Sequence, residues 1–259
     1  MDLQGYFARI GYTEGGTDTQ RLQRVHRGHI THIPFENLDV FNGKNLSVKP
    51  EDVYEKMVTH NRGGYCFEMN SLLCWALNEM GIPTYGVLAR VSRGGEGFGN
   101  HSHRMNISEA DGRRWVCDVG FGGDCFVDPL LFELETEQET HGCVYRVMPG
   151  KQVQYVVQLK KDGVFTDLLG FDDIPALAED FELSNFYTNC HPTSGFKHML
   201  MLNRFTETGR VSMFNTFLTL TEGSEVTRRE VPWEELSAVL QEHFGLDVMP
   251  DHQPEKFSF

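Results

Sequence analysis

Arg62-Gly63-Gly64-Tyr65-Cys66-Phe67-Glu68 joins a glycine-bearing loop to the start of an amphipathic helix. Beyond Cys66 the apolar positions are Met69, Leu72, Leu73, Ala76, Leu77 and Met80. That is the i, i+3, i+4, i+7 spacing of a buried helical stripe, ended by Gly81 and Pro83. A cysteine at the first turn faces the positive end of the helix dipole, which favours its thiolate. A free thiol has a pKa of about 8.5, so little of it is ionised at neutral pH. An adjacent imidazole raises that fraction, and a carboxylate behind the imidazole fixes its tautomer. The Cys66 amide, free at the helix start, is placed to donate to a developing oxyanion. Gly63 and Gly64 are expected to let the backbone pass close to the sulfur and leave room for an acyl group.

Upstream of this segment the chain reads as helical. Tyr6 and Ile10 suggest a short helix, Asp18 is the expected N-cap of a second carrying Leu22, Val25 and Ile30, and residues 51–60 form a third. Pro34 closes the second and leads into Phe35-Glu36-Asn37. From Thr84 the pattern becomes β. Residues 84–91 alternate, 94–99 form a glycine-rich loop, and two strands meet at Asp111-Gly112, a strong hairpin signal. Further strands are expected near 143–148, 153–159, 164–169, 197–204, 211–220 and 225–231. Helices are expected over 177–188 and 232–244, the latter followed by Gly245, with an irregular arm from 247 to 259. The glycine run is not a phosphate loop, because no Gly-Lys-Ser/Thr follows it.

The hairpin places the candidate partners of Cys66. With Asp111 and Gly112 at the turn, Ala110 opposes Arg113. Carried outward, this register sets Asp118 opposite Met105 and His103 opposite Gly120. His103 and Asp118 are then diagonal neighbours on one face, with Cα atoms roughly 7–8 Å apart. Met105, Ile107 and Val116 share that face, so a carboxylate there needs a partner, and an imidazole N–H suits it. His101 falls on the same face but farther away, and ranks second. A purely structural His–Asp hydrogen bond is the alternative; Cys66 is what makes the pair a candidate relay. Among the other thiols, Cys74 lies mid-helix, Cys117 points to the opposite face, and Cys125 is not excluded by spacing. Arg62 and Glu36 read as a structural ion pair tying the second helical region to the loop before Cys66, with two separate surface charges as the alternative.

The 259 residues suit two domains, or one large domain with a satellite, and 40% hydrophobic content suffices for a substantial core. No run approaches the roughly 18 apolar residues of a membrane span. The first residues lack a secretory signal, so a cytoplasmic protein without a membrane partner is expected. The six cysteines include no Cys-x-x-Cys pair, so neither a disulfide framework nor a metal site is expected. The net charge of −14 argues against nucleic acid as a partner. A polyanionic small molecule needs only local donors, for which Arg93, Lys197, His198, Arg204 and Arg210 are candidates.

These residues resemble the arylamine N-acetyltransferase family, bacterial type. The resemblance is carried by Ile33-Pro34-Phe35-Glu36-Asn37-Leu38, by the segment 62–68, by Asp118-Val119-Gly120-Phe121-Gly122-Gly123 and by His191-Pro192-Thr193-Ser194-Gly195-Phe196. Tyr6-Phe7-Ala8-Arg9-Ile10 is also family-like, and the likeness runs to about residue 220. It implies an α+β fold around a catalytic core like that of cysteine proteases and transglutaminases. An N-terminal helical bundle over 1–83 would carry the nucleophile, a central β-barrel over 84–190 the His and Asp, and 191–259 an α/β lid. It implies a Cys66-His103-Asp118 triad and a ping-pong reaction without a metal. Acetyl-CoA, as co-substrate, would acetylate Cys66, and an arylamine, arylhydroxylamine or arylhydrazine would then take the acetyl group. Phe35, Val91 and Phe121 match positions of the apolar acceptor pocket, and Gly122 and Gly123 match a loop near the CoA pyrophosphate. For the three apolar residues, core packing is the alternative. The chain ends earlier than many relatives, so a shortened lid and arm are expected, and residues 92–100 are unusually rich in glycine.

Two other enzyme readings use the same cysteine. One is an amide synthase that passes a larger acyl chain; the other is a thiol acyl-hydrolase. The non-enzymatic reading is a binding module with a structural His–Asp pair.

Overall fold

Two capped helices open the chain in the computed structural model, which describes residues 1–254. In α1 (Leu3–Ile10) the Asp2 carboxylate accepts from the Gln4 and Gly5 amides. In α2 (Asp18–His32) the cap is Thr17, not the expected Asp18, because Thr17 and Gln20 form a reciprocal capping box. Asp18 instead lies in the first turn, where its charge suits the helix dipole. There follow β1 (Phe35–Glu36), α3 (Leu38–Phe41), α4 (Pro50–Tyr54) with a π-helical extension over Glu55–Thr59, and α5 (Cys66–Glu79). Residues of α1, α2 and α5, among them Tyr6, Leu22, Met69 and Leu73, are buried in one core.

Eight antiparallel strands come next: β2 (Thr84–Val91), β3 (His103–Ala110), β4 (Arg113–Cys117), β5 (Leu130–Leu131), β6 (Gln138–Thr140), β7 (Cys143–Pro149), β8 (Tyr155–Lys161) and β9 (Val164–Phe171). Their order is β5-β4-β3-β2-β9-β8-β7-β6, and alternate residues such as Val87, Met105, Val116, Val147 and Leu169 fill the interior. The two end strands are joined by a side chain: Gln138 Oε1 accepts from the Leu131 N–H at 2.6 Å and its Nε2 donates to Leu131 O at 2.9 Å. The result is a nearly closed barrel. Residues 92–98 fold back on themselves through the Ser92–Phe98 bridge.

Past α6 (Ala178–Cys190) lies a second sheet of β10 (Met201–Phe205), β11 (Gly209–Phe214), β12 (Phe217–Glu222) and β13 (Glu225–Glu230), in the order β1-β10-β11-β12-β13. The two-residue β1 has no signal in the sequence; it is a strand only because β10 pairs with it, Phe35 opposite Asn203. The single strand expected over 211–220 is a hairpin. Asn215 adopts a left-handed φ of 52°, and its side-chain oxygen accepts from the Leu200 N–H. The expected helix over 232–244 is a 3-10 turn, then α7 (Leu236–Val239), then a π-helical turn that ends at left-handed Gly245. The C-terminal arm is described to residue 254, and the rest of it lies outside the described residues. The fold is α+β: helices, a barrel and an α/β layer.

Candidate active site

Cys66 heads α5 because the loop before it is pinned on both sides. The Tyr65 N–H donates to Glu68 Oε2 at 3.1 Å, the return half of a helix-capping contact. A Cβ on Gly63 would collide with the Pro34 carbonyl oxygen, and one on Gly64 with the Met57 methyl group. These glycines therefore admit neighbouring backbone and side chains rather than space beside the sulfur, which corrects the expectation above. The gain is a close main-chain seam: Glu36 N–H donates to Gly64 O at 2.9 Å and Gly64 N–H to Pro34 O at 3.3 Å.

Asp111 and Gly112 both have positive φ, 50° and 70°, and β3 pairs with β4 from Ala110–Arg113 to Asn106–Cys117 in the expected register. The ladder stops there, one residue short of Asp118, so Asp118 does not pair with Met105. Asn70 is the reason. Its Nδ2 donates to Arg104 O on β3 at 2.6 Å and its Oδ1 accepts from the Val119 N–H at 3.1 Å, standing where the ladder would continue. Asn70 Nδ2 also donates to Asp118 Oδ1 at 2.8 Å. Asp118 Oδ2 lies 2.6 Å from His103 Nε2. Cys66 lies close enough for its charge to act on the imidazole, and its thiol donates to the Ser102 carbonyl at 3.8 Å. Cys66 and His103 are each 3% exposed and Asp118 is fully buried. Burial alone would depress the imidazole; the Asp118 and Cys66 charges outweigh it and push His103 up to about 10.

Phe121 stands edge-on to His103, ring centroids 5.5 Å apart. Phe35 is buried, packs on Phe196 and borders left-handed Gly122. Val91 closes β2 two residues beyond Ala89, which opposes His103. Gly123 faces open space, and its carbonyl accepts from Arg210 Nη1 at 2.7 Å. Lys197 and His198 bond the Cys190 and Pro192 carbonyls. Cys125, open to either reading by spacing, is buried with its thiol on Asp118 O at 3.1 Å. Burial and the Asp118 charge raise that thiol well above its ordinary pKa, so it stays protonated. His101 is half-buried ahead of β3, and it is His103 that meets Asp118.

Arg62 and Glu36 are ion-paired at 2.7 Å, within a larger buried cluster. Arg62 also reaches Asp39 at 3.1 Å, and Lys56 bridges Asp39 at 2.9 Å and Glu68 at 2.8 Å. Burial would lower the Lys56 pKa, but Glu68, Glu36 and Asp39 hold it above its ordinary value. The cluster thus ties the π-helical extension of α4, the β1–α3 segment and the first turn of α5 together.

A family model described as N-acetyltransferase matches residues 18–252. The arylamine N-acetyltransferase of Escherichia coli (strain K12) is 32% identical over 251 residues, covering 95% of this chain and 89% of that protein. The chain belongs to the arylamine N-acetyltransferase family. The family member of Salmonella typhimurium, an arylamine N-acetyltransferase / N-hydroxyarylamine O-acetyltransferase, is 31% identical with the same coverage. A solved Salmonella typhimurium arylamine N-acetyltransferase superposes with a TM-score of 0.89 at 28% identity, covering 98% of this chain and 94% of that one. The Mycobacterium marinum arylamine N-acetyltransferase in complex with CoA gives 0.87 at 26% identity, covering 95% and 93%.

In an arylamine N-acetyltransferase fold the sequence pattern points to Cys66, His103 and Asp118, but not to what holds them. Asn70 had one available signal, an amide one turn after Cys66 and next to the buried stripe residue Met69. Lys56 had none. Among the described residues no group of three or more His, Cys, Asp or Glu is arranged to hold a metal ion. Nor is any helix there long and apolar enough to cross a membrane.

Proposed function

We propose that this family member transfers the acetyl group of acetyl-CoA to the nitrogen of arylamines, arylhydroxylamines or arylhydrazines through an acetyl-Cys66 intermediate. One observation carries the reading: Asp118 lies 2.6 Å from His103 Nε2, and His103 is under the charge influence of Cys66 at a helix N-terminus. In the first half-reaction the Cys66 thiolate attacks the acetyl carbon, the bond to the CoA sulfur breaks, and His103 gives its proton to the departing CoA. In the second, the amine nitrogen attacks the thioester, His103 takes the N–H proton, and the bond to Cys66 sulfur breaks. Asp118 stays ionised throughout and keeps the imidazole oriented.

The CoA-bound relative supports the choice of donor. Phe121 beside the imidazole, with Phe35 and Val91, would form the acceptor pocket, and the Gly122-Gly123 loop, open at Gly123, would offer backbone N–H groups to the pyrophosphate. The helical segment 1–83, the barrel segment 84–190 and the lid segment 191–259 would divide the work of nucleophile, relay and cover. A free-thiol nucleophile suits a reducing compartment, and we assign the enzyme to the cytoplasm.

Intact-protein mass spectrometry after brief exposure to acetyl-CoA tests the reading. One acetyl group is expected on the wild type and none on Cys66→Ala; an adduct that persists in the variant overturns it. Adding an arylamine should discharge the adduct much faster than water does. Equal discharge rates would instead make the protein a hydrolase.

A further inference from the structure

Asp118 is held by its main chain as well as by its carboxylate. The contact at its amide comes from α2, far away in the chain. His26 is fully buried, with Nδ1 2.8 Å from Val127 O and Nε2 3.1 Å from the Asp118 amide nitrogen. A carbonyl oxygen can only accept and a backbone amide can only donate. The ring must therefore carry its proton on Nδ1 and present a lone pair at Nε2. An imidazolium, or the other tautomer, would set two N–H groups against each other at Asp118. Phe126 lies almost parallel to the ring, centroids 6.0 Å apart and planes 12° apart, and limits its rotation.

The charged and titratable groups facing this ring are Asp118 and Asp128 from the segments after β4, and Arg27 and His29 on α2 itself. Burial is the largest influence and lowers the His26 pKa, against the opposite pull of Asp128 and Asp118. The neutral ring that the hydrogen bonds demand is also the form that burial favours.

We propose that His26 is a positioning residue for acyl transfer: as a neutral imidazole it fixes the Asp118 main chain so that the carboxylate meets His103. The proposal rests on the reading of Cys66, His103 and Asp118 given above. Strand pairing cannot place Asp118, because the ladder ends at Cys117. Two contacts to its own peptide groups take over, His26 at the N–H and the Cys125 thiol at the C=O. The 2.6 Å contact to His103 leaves little slack, and a misplacement of about 1 Å costs about 10²-fold in rate.

The test compares wild type, His26→Gln and His26→Asn. Cys66 alkylation by iodoacetamide is followed across about pH 5 to 9, with single-turnover acetylation by acetyl-CoA in parallel. The Gln side chain can keep an acceptor near the Nε2 position; it should retain the wild-type pH profile and a rate within about threefold. The shorter Asn reaches only the Nδ1 position and leaves the Asp118 N–H unpaired. The pH profile of its alkylation should depart from that of the wild type, and acetylation should fall roughly 10- to 100-fold. An Asn variant with the wild-type profile, or a Gln variant as impaired as Asn, overturns the proposal. Imidazole ¹⁵N NMR of the wild type needs no variant. It should show His26 neutral and protonated on Nδ1 at pH 7, and an Nε2–H form or an imidazolium overturns the proposal equally. Alkylation uses no acyl donor, so a wild type that acetyl-CoA fails to acetylate would refute the proposed function and leave the His26 result standing.

Discussion

Every polar atom of Asp118 has a partner: His26 at the N–H, Cys125 at the C=O, Asn70 and the Gly120 N–H at Oδ1, and His103 at Oδ2. Such complete pairing leaves no buried polar atom of Asp118 unsatisfied, and its charge holds a proton on His103. This has a signed consequence for stability. An unfolded histidine titrates near 6.5, and His103 is pushed up to about 10 in the fold. Its contribution is fully present below about pH 6.5 and is lost as pH rises toward 10, because there the folded chain holds a proton the unfolded chain has released. Urea unfolding of wild type and His103→Gln should show a gap that is widest near pH 6 and narrows by about pH 9.5. A constant gap would contradict it. A helix start locates Cys66, and a two-residue turn sets the β3–β4 register that leads toward His103 and Asp118 but ends before reaching either. Asn70 and His26 were not legible, since each meets Asp118 beyond the end of a strand, where no periodicity projects.

The elements that carry these residues approach each other at Gly120. A Cβ there would lie 2.6 Å from Cys66 Cα and 3.0 Å from Asn70 Nδ2, so only glycine lets the segment after β4 lie against α5. Gly120→Ala must push the nucleophile and the relay apart by several tenths of an ångström. Acetylation of Cys66 should fall by about 10²-fold, while Gly95→Ala, with nothing within 4 Å of its added methyl, should match wild type. Equal rates in the two variants would show that the approach at Gly120 is irrelevant to catalysis. The long elements α5, the β3–β4 hairpin and the strands from β7 to β9 follow from their own periodicity and turns. Short ones do not. Two-residue β1 exists through its pairing with β10, and the break between β11 and β12 turns on Asn215, whose side chain bonds Leu200 rather than its own turn.

Across the whole molecule the barrel depends on a seam that sequence patterning does not show. Strands β5 and β6 have two and three residues, too few for an alternation signal, and no backbone ladder joins them. The Gln138 amide makes both bonds to Leu131 instead. Gln138→Leu removes two hydrogen bonds, each worth about 0.5–1.5 kcal/mol net. It should lower stability by about 1–3 kcal/mol in urea unfolding and speed hydrogen exchange at the Leu131 amide. Unchanged protection there would show that the seam is closed by something else. A backbone edge is an open template, since each strand added exposes another row of donors and acceptors for the next chain. The Gln138 amide commits its oxygen and an N–H to one peptide group and adds no backbone row of its own. Gln138 therefore works as a terminator, ending the sheet where two cut edges would otherwise invite a neighbouring molecule to add a strand.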